Sequence, residues 1–553
     1  MKNRGHSLRA WRVLASTVAC VATFGCGSTD DGTTDSTNGQ PPPAGAAGVY
    51  YVRTDGGDAA QCTGQADAAY PGSGTGQACA WNHPFQALPP GGTARLPGGA
   101  TLVIGPGSYR MGLGAPGAET CERDAPWDCH MGRVPSGPSA GEPTRILGAG
   151  WSSGCTQAPE LWGAERSDHI LDLTGAQHVQ VACLEITDHE GCVEFHSGGL
   201  ACERDAAPYG AWASAGIVAS DSSDVELRDL DVHGLASTGI HAGRLSGWTL
   251  EGVRIAGNGW VGWDGDIDGN DSNSGDIVFR HVRVEWNGCA ETYPGLRPAG
   301  CWAQSAGGYG DGLGTGTTGG HWVFEDCAFL HNTSDGLDLL YLRQAGGSVE
   351  VRRTIAEGNA GNQIKASGSA TIENTVIVGN CGFFSGAAFT FDVDECRAAG
   401  NALSLALQQG SQDRVTNTTI TGEGDCLVIA ECDRSCRGNE LLRLRNNLLV
   451  GQRDLTSGGE QSCLFWSEGL VGYNLDFDYS LVSSVKGAPP CPGGHDQCGV
   501  APGIANASID AFDAHLTSGS AAIDHGTPDG APTTDFDGQP RDSQPDIGAY
   551  ERR

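Results

Sequence analysis

Alternating apolar and polar residues recur along this chain in short bursts, each followed by a polar kink and a second, shorter apolar group. Seven bursts stand out, at 178–187, 224–233, 248–256, 276–287, 321–332, 348–359 and 369–380. Alternation of period two is the mark of a strand with one buried face. Val349 and Ala370 occupy equivalent positions 21 residues apart, and the gaps lengthen where loops intrude. An asparagine returns at the same phase, as Asn258, Asn287, Asn332, Asn359 and Asn380. Asparagine tolerates the left-handed turn that a stacked coil needs at a corner, and its amide can hydrogen-bond to the next coil. Alternation alone would fit a β-sandwich. The recurrent asparagine decides for an all-β fold built as a parallel β-solenoid.

Past Cys381 the repeat loosens but persists at 402–407, 415–420, 441–450 and 470–477. At the other end, order is expected to begin with Val49-Tyr50-Tyr51-Val52. Asp55-Gly56-Gly57-Asp58, Trp81-Asn82-His83-Pro84-Phe85 and the segment 103–109 (VIGPGSY) follow. This opening resembles that of bacterial right-handed parallel β-helix proteins of the pectin lyase-like kind. The tail 520–551, ending in Asp546-Ile547-Gly548-Ala549-Tyr550-Glu551, is similar to the closing segment of bacterial surface β-helix proteins. The resemblance implies a right-handed parallel β-helix over 49–500 and a closing segment over 501–553, which is expected to cap the exposed terminal coil.

Composition sharpens this. The 86 glycines and the sparse charged residues (18%) suit turn-rich β structure and disfavour helical bundles. A formal charge of −33 argues against nucleic-acid binding and opposes polyanions at long range. Lys2, Arg4, Arg9 and Arg12 precede an apolar run at 13–24 too short to span a membrane, so 1–26 reads as an export signal. Thr23-Phe24-Gly25-Cys26 resembles a bacterial lipoprotein cleavage site, which makes Cys26 the lipidation candidate; plain signal-peptidase cleavage is the alternative. Residues 27–48 form a polar, proline-rich tether. The expected product is an exported monomer, secreted or held at the cell surface by lipid. Of the 21 cysteines, Cys121/Cys129, Cys183/Cys192, Cys289/Cys301 and Cys491/Cys498 are close enough in sequence to suggest loop-stapling disulfides. An odd number remains after the signal. Cys426, Cys432 and Cys436 lack the CxxC pairs of a zinc site.

Chemistry concentrates between 307 and 368. Two acid-glycine turns, Asp311-Gly312-Leu313 and Asp335-Gly336-Leu337-Asp338, lie about one repeat apart, and Lys365 follows about one repeat later. The chain holds only Lys2, Lys365 and Lys486, so a lysine placed after two acidic turns is the foremost catalytic candidate. Three converging carboxylates repel one another unless protonated or metal-bound, and hard oxygen ligands suit calcium. The stretches Ser334-Asp335-Gly336-Leu337-Asp338-Leu339 and Gly361-Asn362-Gln363-Ile364-Lys365 resemble the family-nine pectate lyases. That resemblance implies Asp335 and Asp338 as calcium ligands, Asp311 as the earlier ligand, and Lys365 as the base of a β-elimination on an acidic, uronic acid-containing polysaccharide. Ser334 departs from it, since an acid usually stands there. Read as an exposed strand residue, Lys365 is expected to hold up little of the core.

Weaker signals surround this set. Asp264, Asp266 and Asp268 have the opening spacing of an EF-hand loop, but Gly275 stands where a glutamate belongs. Tyr293, Trp302 and Tyr309 are candidates for the floor of a sugar groove or for local packing, and Arg343, Arg352 and Arg353 for offsetting the negative field. Two rivals stand beside the lyase. One is a non-catalytic surface protein that binds carbohydrate or acts as a spacer. The other is a polygalacturonase-type hydrolase, whose NTD motif Asn332-Thr333 matches only in part and whose second acid pair is missing.

Overall fold

The computed structural model describes residues 47–552 apart from 195–199, 204–205, 268–271, 295–296, 303–308, 433–435, 469–473 and 488–490. The expected export signal with Cys26, nearly all of the expected tether, and Asp268 lie outside the described residues. Two large sheets, one of 24 strands and one of ten, wind through the chain with parallel pairing between successive coils. All seven bursts fall on the larger sheet. The kink after His321–Glu325 or Ser348–Arg352 separates a long strand from a short one, Ala328–Leu330 or Ile355–Glu357. Register is strict. Trp322 pairs with Val349 and Val349 with Ala370, so the apolar half of each alternation stacks inward. Trp248, Phe279, Trp322, Phe324, Phe329 and Ile372 are fully buried there. A one-residue slip would turn every one of these side chains out to solvent.

The asparagines form the ladder expected of them. Nδ2 of Asn258 donates to Oδ1 of Asn287 (2.9 Å), Asn287 to Asn332 (2.9 Å) and Asn332 to Asn359 (2.8 Å), and the ladder ends on Gln363 Oε1 (2.8 Å). Each backbone N–H on the ladder bonds the same acceptor, and Asn287, Asn332 and Asn359 also donate to a carbonyl of the preceding coil. Their backbone is not left-handed, which corrects the sequence reading. The positive φ belongs to the residue before, in Gly257 (61°), Trp286 (58°), His331 (54°) and Gly358 (67°). That residue absorbs the corner and leaves each asparagine pointing inward with its amide aligned along the stack. Asn380 is outside the ladder; Gln363 takes its place. We expect Asn287→Ala, which leaves Asn258 and the facing backbone N–H without an acceptor, to cost about 2–4 kcal/mol in denaturant unfolding. A change below about 0.5 kcal/mol would mean that the ladder contributes little.

Among the described residues nine disulfides close local loops, including Cys121–Cys129, Cys289–Cys301 and Cys491–Cys498. The expected Cys183/Cys192 bridge is replaced by Cys155–Cys183 and Cys192–Cys202. Cys183 sits inside the strand Gln177–Asp188, whereas Cys192 lies in the loop beyond it, so each meets a neighbouring loop instead. Cys426 and Cys463 pair, as do Cys432 and Cys436, which removes the thiolates a zinc ion would need. Cys327 is the odd thiol among the described residues, and it is buried.

The tail runs along the flank of the last coils. Thr534 accepts from Asn374, Asp546 from Asn417 and Thr527 from Asn446, while Ile547 and Ala522 pack with Leu448 and Leu481. Arg541, whose side chain is almost wholly enclosed, pairs with Glu551 and donates to Asn374.

Candidate functional site

The smaller sheet carries the site. Its strands around the acidic turns are Thr238–Gly243, Val261–Asp264, Leu313–Gly314, Leu337–Leu339 and Ile364–Ser367, down to two residues long. Leu313, Leu337, Leu339, Ile364 and Ala366 are fully buried, so the pleat turns the residues between them outward. Register then aligns Asp264, Gly314, Asp338 and Lys365 in one file across the sheet. Asp311 and Asp335 occupy the same position one coil apart, two residues before Leu313 and Leu337. The glycine after each is needed for closeness. A Cβ on Gly336 would lie 2.5 Å from the carbonyl oxygen of Gln363 and 2.6 Å from Asn359 Nδ2. The acid-glycine turns are therefore locked to the asparagine ladder.

Asp311, Asp335, Asp338 and Lys365 come together. One oxygen from each aspartate lies within 4.8 Å of the others. Lys365 Nζ stands 2.5 Å from Asp335 Oδ2 and 3.1 Å from Asp338 Oδ2. Asp335 Oδ1 accepts from the backbone N–H of Asn362 (2.6 Å) and from its amide (3.0 Å), and Asp311 Oδ1 from the backbone N–H of Asp335 (2.9 Å). Lys365 and Asp338 each expose 13% of the side chain, and Asp335 3%. Lys365 is thus a nearly buried ion-pair partner and not the exposed strand residue the sequence suggested, because Asp335 and Asp338 close over its ammonium.

Burial, and then repulsion from Asp335 and Asp338, pushes the Asp311 carboxyl up to about 7. Asp338 is raised as well, chiefly by burial. For Asp335 burial works upward but is outweighed by the Lys365 ammonium and the Asn362 bonds, and its carboxyl falls below the ordinary range. Burial pulls Lys365 down, yet Asp335, Asp338 and Asp311 outweigh it and raise its pKa. Three carboxylates share one ammonium, so the cluster carries more buried negative charge than its own cation neutralises. A divalent cation fits that deficit. Among the described residues the other grouping of metal-ligand types, Asp425 with Cys426 and Cys463, is spent on a disulfide.

The cluster opens into a groove of about 520 Å³ lined also by Trp260, Asp264, Asp266, Tyr341 and Arg397. Asp264 stands 3.7 Å from His241 Nε2 and accepts from the N–H of Asp266, so these two aspartates line the groove apart from the triad. Arg343 stacks over Tyr341, 4.7 Å from the ring centroid, at the groove's edge. Arg352 and Arg353 are not brought to the site. Both lie at the end of Ser348–Arg352 on the larger sheet, where Arg352 pairs with Glu350 and Arg353 holds Asp326 (2.8 Å) and Glu325 (2.6 Å). Trp302 and Tyr309 are buried in a small apolar cluster with Val193 and Ala290. Trp302 stacks on Phe391. Tyr293 is 48% exposed but stacks on His189, away from the triad. Trp260, Tyr341 and Arg397 escaped the sequence reading because each sits in an irregular segment with no period to mark it.

A family model described as "Right handed beta helix region" matches residues 211–390. With the parallel sheets above, the fold is a right-handed parallel β-helix. Among solved structures, pectate lyase Pel9A is similar at 13% identity with a TM-score of 0.41, over 91% of this chain and 96% of that one. A rhamnogalacturonan lyase is similar at 13% identity and a TM-score of 0.36, over 87% and 97%. An alginate lyase from Paenibacillus sp. str. FPU-7 follows at 14% and 0.33, over 71% and 94%. No curated protein matches the sequence.

Proposed function

We propose that this protein is an exported polysaccharide lyase that cleaves an acidic, uronic acid-containing polymer by β-elimination, with Lys365 as the base. One observation carries the reading: a lysine and three aspartates meet in a nearly buried cluster at the base of an open groove. Asp311, Asp335 and Asp338 would hold a calcium ion. Bound there, calcium would neutralise a uronate carboxylate and stabilise the charge that develops beside it. The same three carboxylates keep Lys365 protonated when they have no other partner. With their charge spent on a divalent cation, burial is left to favour the neutral amine that a base requires. Lys365 Nζ then takes the C5 proton, the C4–O bond breaks, a C4=C5 double bond forms, and the departing sugar oxygen is protonated from solvent.

The second reading is a non-catalytic carbohydrate-binding surface protein in which Lys365 serves only to neutralise buried aspartates. The close Lys365–Asp335 pair and the charge of −33 favour it. Hydrolysis of the polygalacturonase type draws less support, since inverting hydrolysis places its carboxyl groups roughly 6.5–9.5 Å apart, wider than this cluster. The test is the mature protein on polygalacturonate and alginate, with calcium and with chelator. Ultraviolet-absorbing unsaturated ends that vanish with chelator are expected. Reducing ends without unsaturation would point to hydrolysis, and no product with either polymer would favour the binding protein.

A further inference from the structure

Five aspartates line the groove, against two cations among its described lining residues, Lys365 and Arg397. Lys365 Nζ is turned to Asp335 Oδ2 and Asp338 Oδ2 inside the cluster. We infer that Arg397 receives a uronate carboxylate of the bound chain at the Ser334 edge of the aspartate cluster, and so sets the preference for charged over esterified sugar. This rests on the lyase reading and adds to it a residue that makes the substrate's charge matter.

The local backbone supports the assignment. Arg397 Nη1 donates to Ser334 Oγ (2.5 Å), and Ser334 directly precedes Asp335. Around the arginine the chain is strained: Cys396 (φ 53°), Ala398 (51°), Ala399 (69°) and Gly400 (57°) all take positive φ. Two alanines and a cysteine in that region pay a steric cost that persists only where the surroundings over-determine the conformation. Here they do. The Cys381–Cys396 disulfide fixes one end, and Arg397 N–H bonds Ala360 O (3.0 Å). The carbonyls of Ala398 and Ala399 accept from Asn401 Nδ2 (3.2 Å) and the Asp425 N–H (2.8 Å). What this turn presents to the groove is a guanidinium, whose planar fork matches a carboxylate.

The experiment compares wild type, Arg397→Gln and Arg397→Lys on polygalacturonate and alginate, each de-esterified and highly esterified, by the absorbance of unsaturated product. Arg397→Gln is expected to raise KM on the de-esterified polymer by about 10- to 100-fold, with kcat little changed, and to erase the preference over the esterified form. Arg397→Lys should recover the charge preference in part. An unchanged KM in Arg397→Gln, or equal losses on charged and esterified polymer, would overturn the inference while wild-type activity leaves the lyase reading standing. If wild type makes no unsaturated product from any of the four, the lyase reading falls and this inference falls with it.

Discussion

If the proposed lyase reading holds, Lys365→Met should lower turnover on a uronan by about 10²–10⁴-fold, the usual contribution of a positioned general base, and added calcium should not restore it. Methionine keeps the apolar stem and removes the amine. The structure adds a second consequence. Lys365 is the cation facing Asp335 and Asp338, so its removal leaves buried carboxylates unpaired. Breaking a buried pair in this way costs about 3–5 kcal/mol, and the variant should melt earlier in chelator. Calcium should recover most of that stability by taking over the carboxylates. The two readouts part company: stability returns with the ion, chemistry does not. Lys486→Met is the control. Lys486 is half-exposed, pairs with Glu460 and lies outside the groove, so its loss should leave both unchanged. A calcium-loaded, folded Lys365→Met protein with full lyase activity would return Lys365 to a purely structural role.

The larger sheet was legible in the sequence because its strands are long enough to show period two and carry bulky residues such as Trp322 and Phe324 on one face. The smaller sheet showed only at 402–407, and not around the acidic cluster. Leu313–Gly314 has two residues and Leu337–Leu339 three, too few to display any period. That sheet holds the candidate site, which was read from its acid-glycine turns instead. Those turns were conspicuous because stacking demands them: where Gly336 meets the carbonyl of the next coil, no side chain fits. The asparagine repeat was read correctly as a ladder and wrongly as the left-handed corner, since only Gly257 and Gly358 of the four left-handed residues are glycines and Trp286 and His331 hide the pattern. Arginines near the motif in sequence, Arg352 and Arg353, went to the wrong sheet. Arg397, more than thirty residues past Lys365, reaches the groove through a disulfide-bound turn that no periodicity announces.

The chelator-treated protein should lose stability as pH rises through about 7, and calcium should stabilise it more at alkaline pH than at acid pH. Asp311 sets the direction. Burial, then Asp335 and Asp338, raise its carboxyl from 3.8 to about 7. A folded-state pKa above the unfolded value makes a contribution that is complete below the unfolded pKa and is lost as pH climbs through the folded one. At about 1.36 kcal/mol per unit the full effect is at most roughly 4 kcal/mol. An ion on the triad needs the ionised carboxylate, so below about 7 it competes with a proton and its affinity falls by up to about tenfold per pH unit. Thermal unfolding at about pH 5.5 and about pH 8.5, in calcium and in chelator, reads both effects. The calcium-dependent rise in melting temperature should be larger at the higher pH. It should disappear from the variant carrying Asp311→Asn, Asp335→Asn and Asp338→Asn, whose chelator-treated form should no longer lose stability through pH 7 on this account. A calcium shift of the same size at both pH values, or one that survives the triple substitution, would place the ion elsewhere, with Asp264 and Asp266 on the same groove as the next ligands to replace.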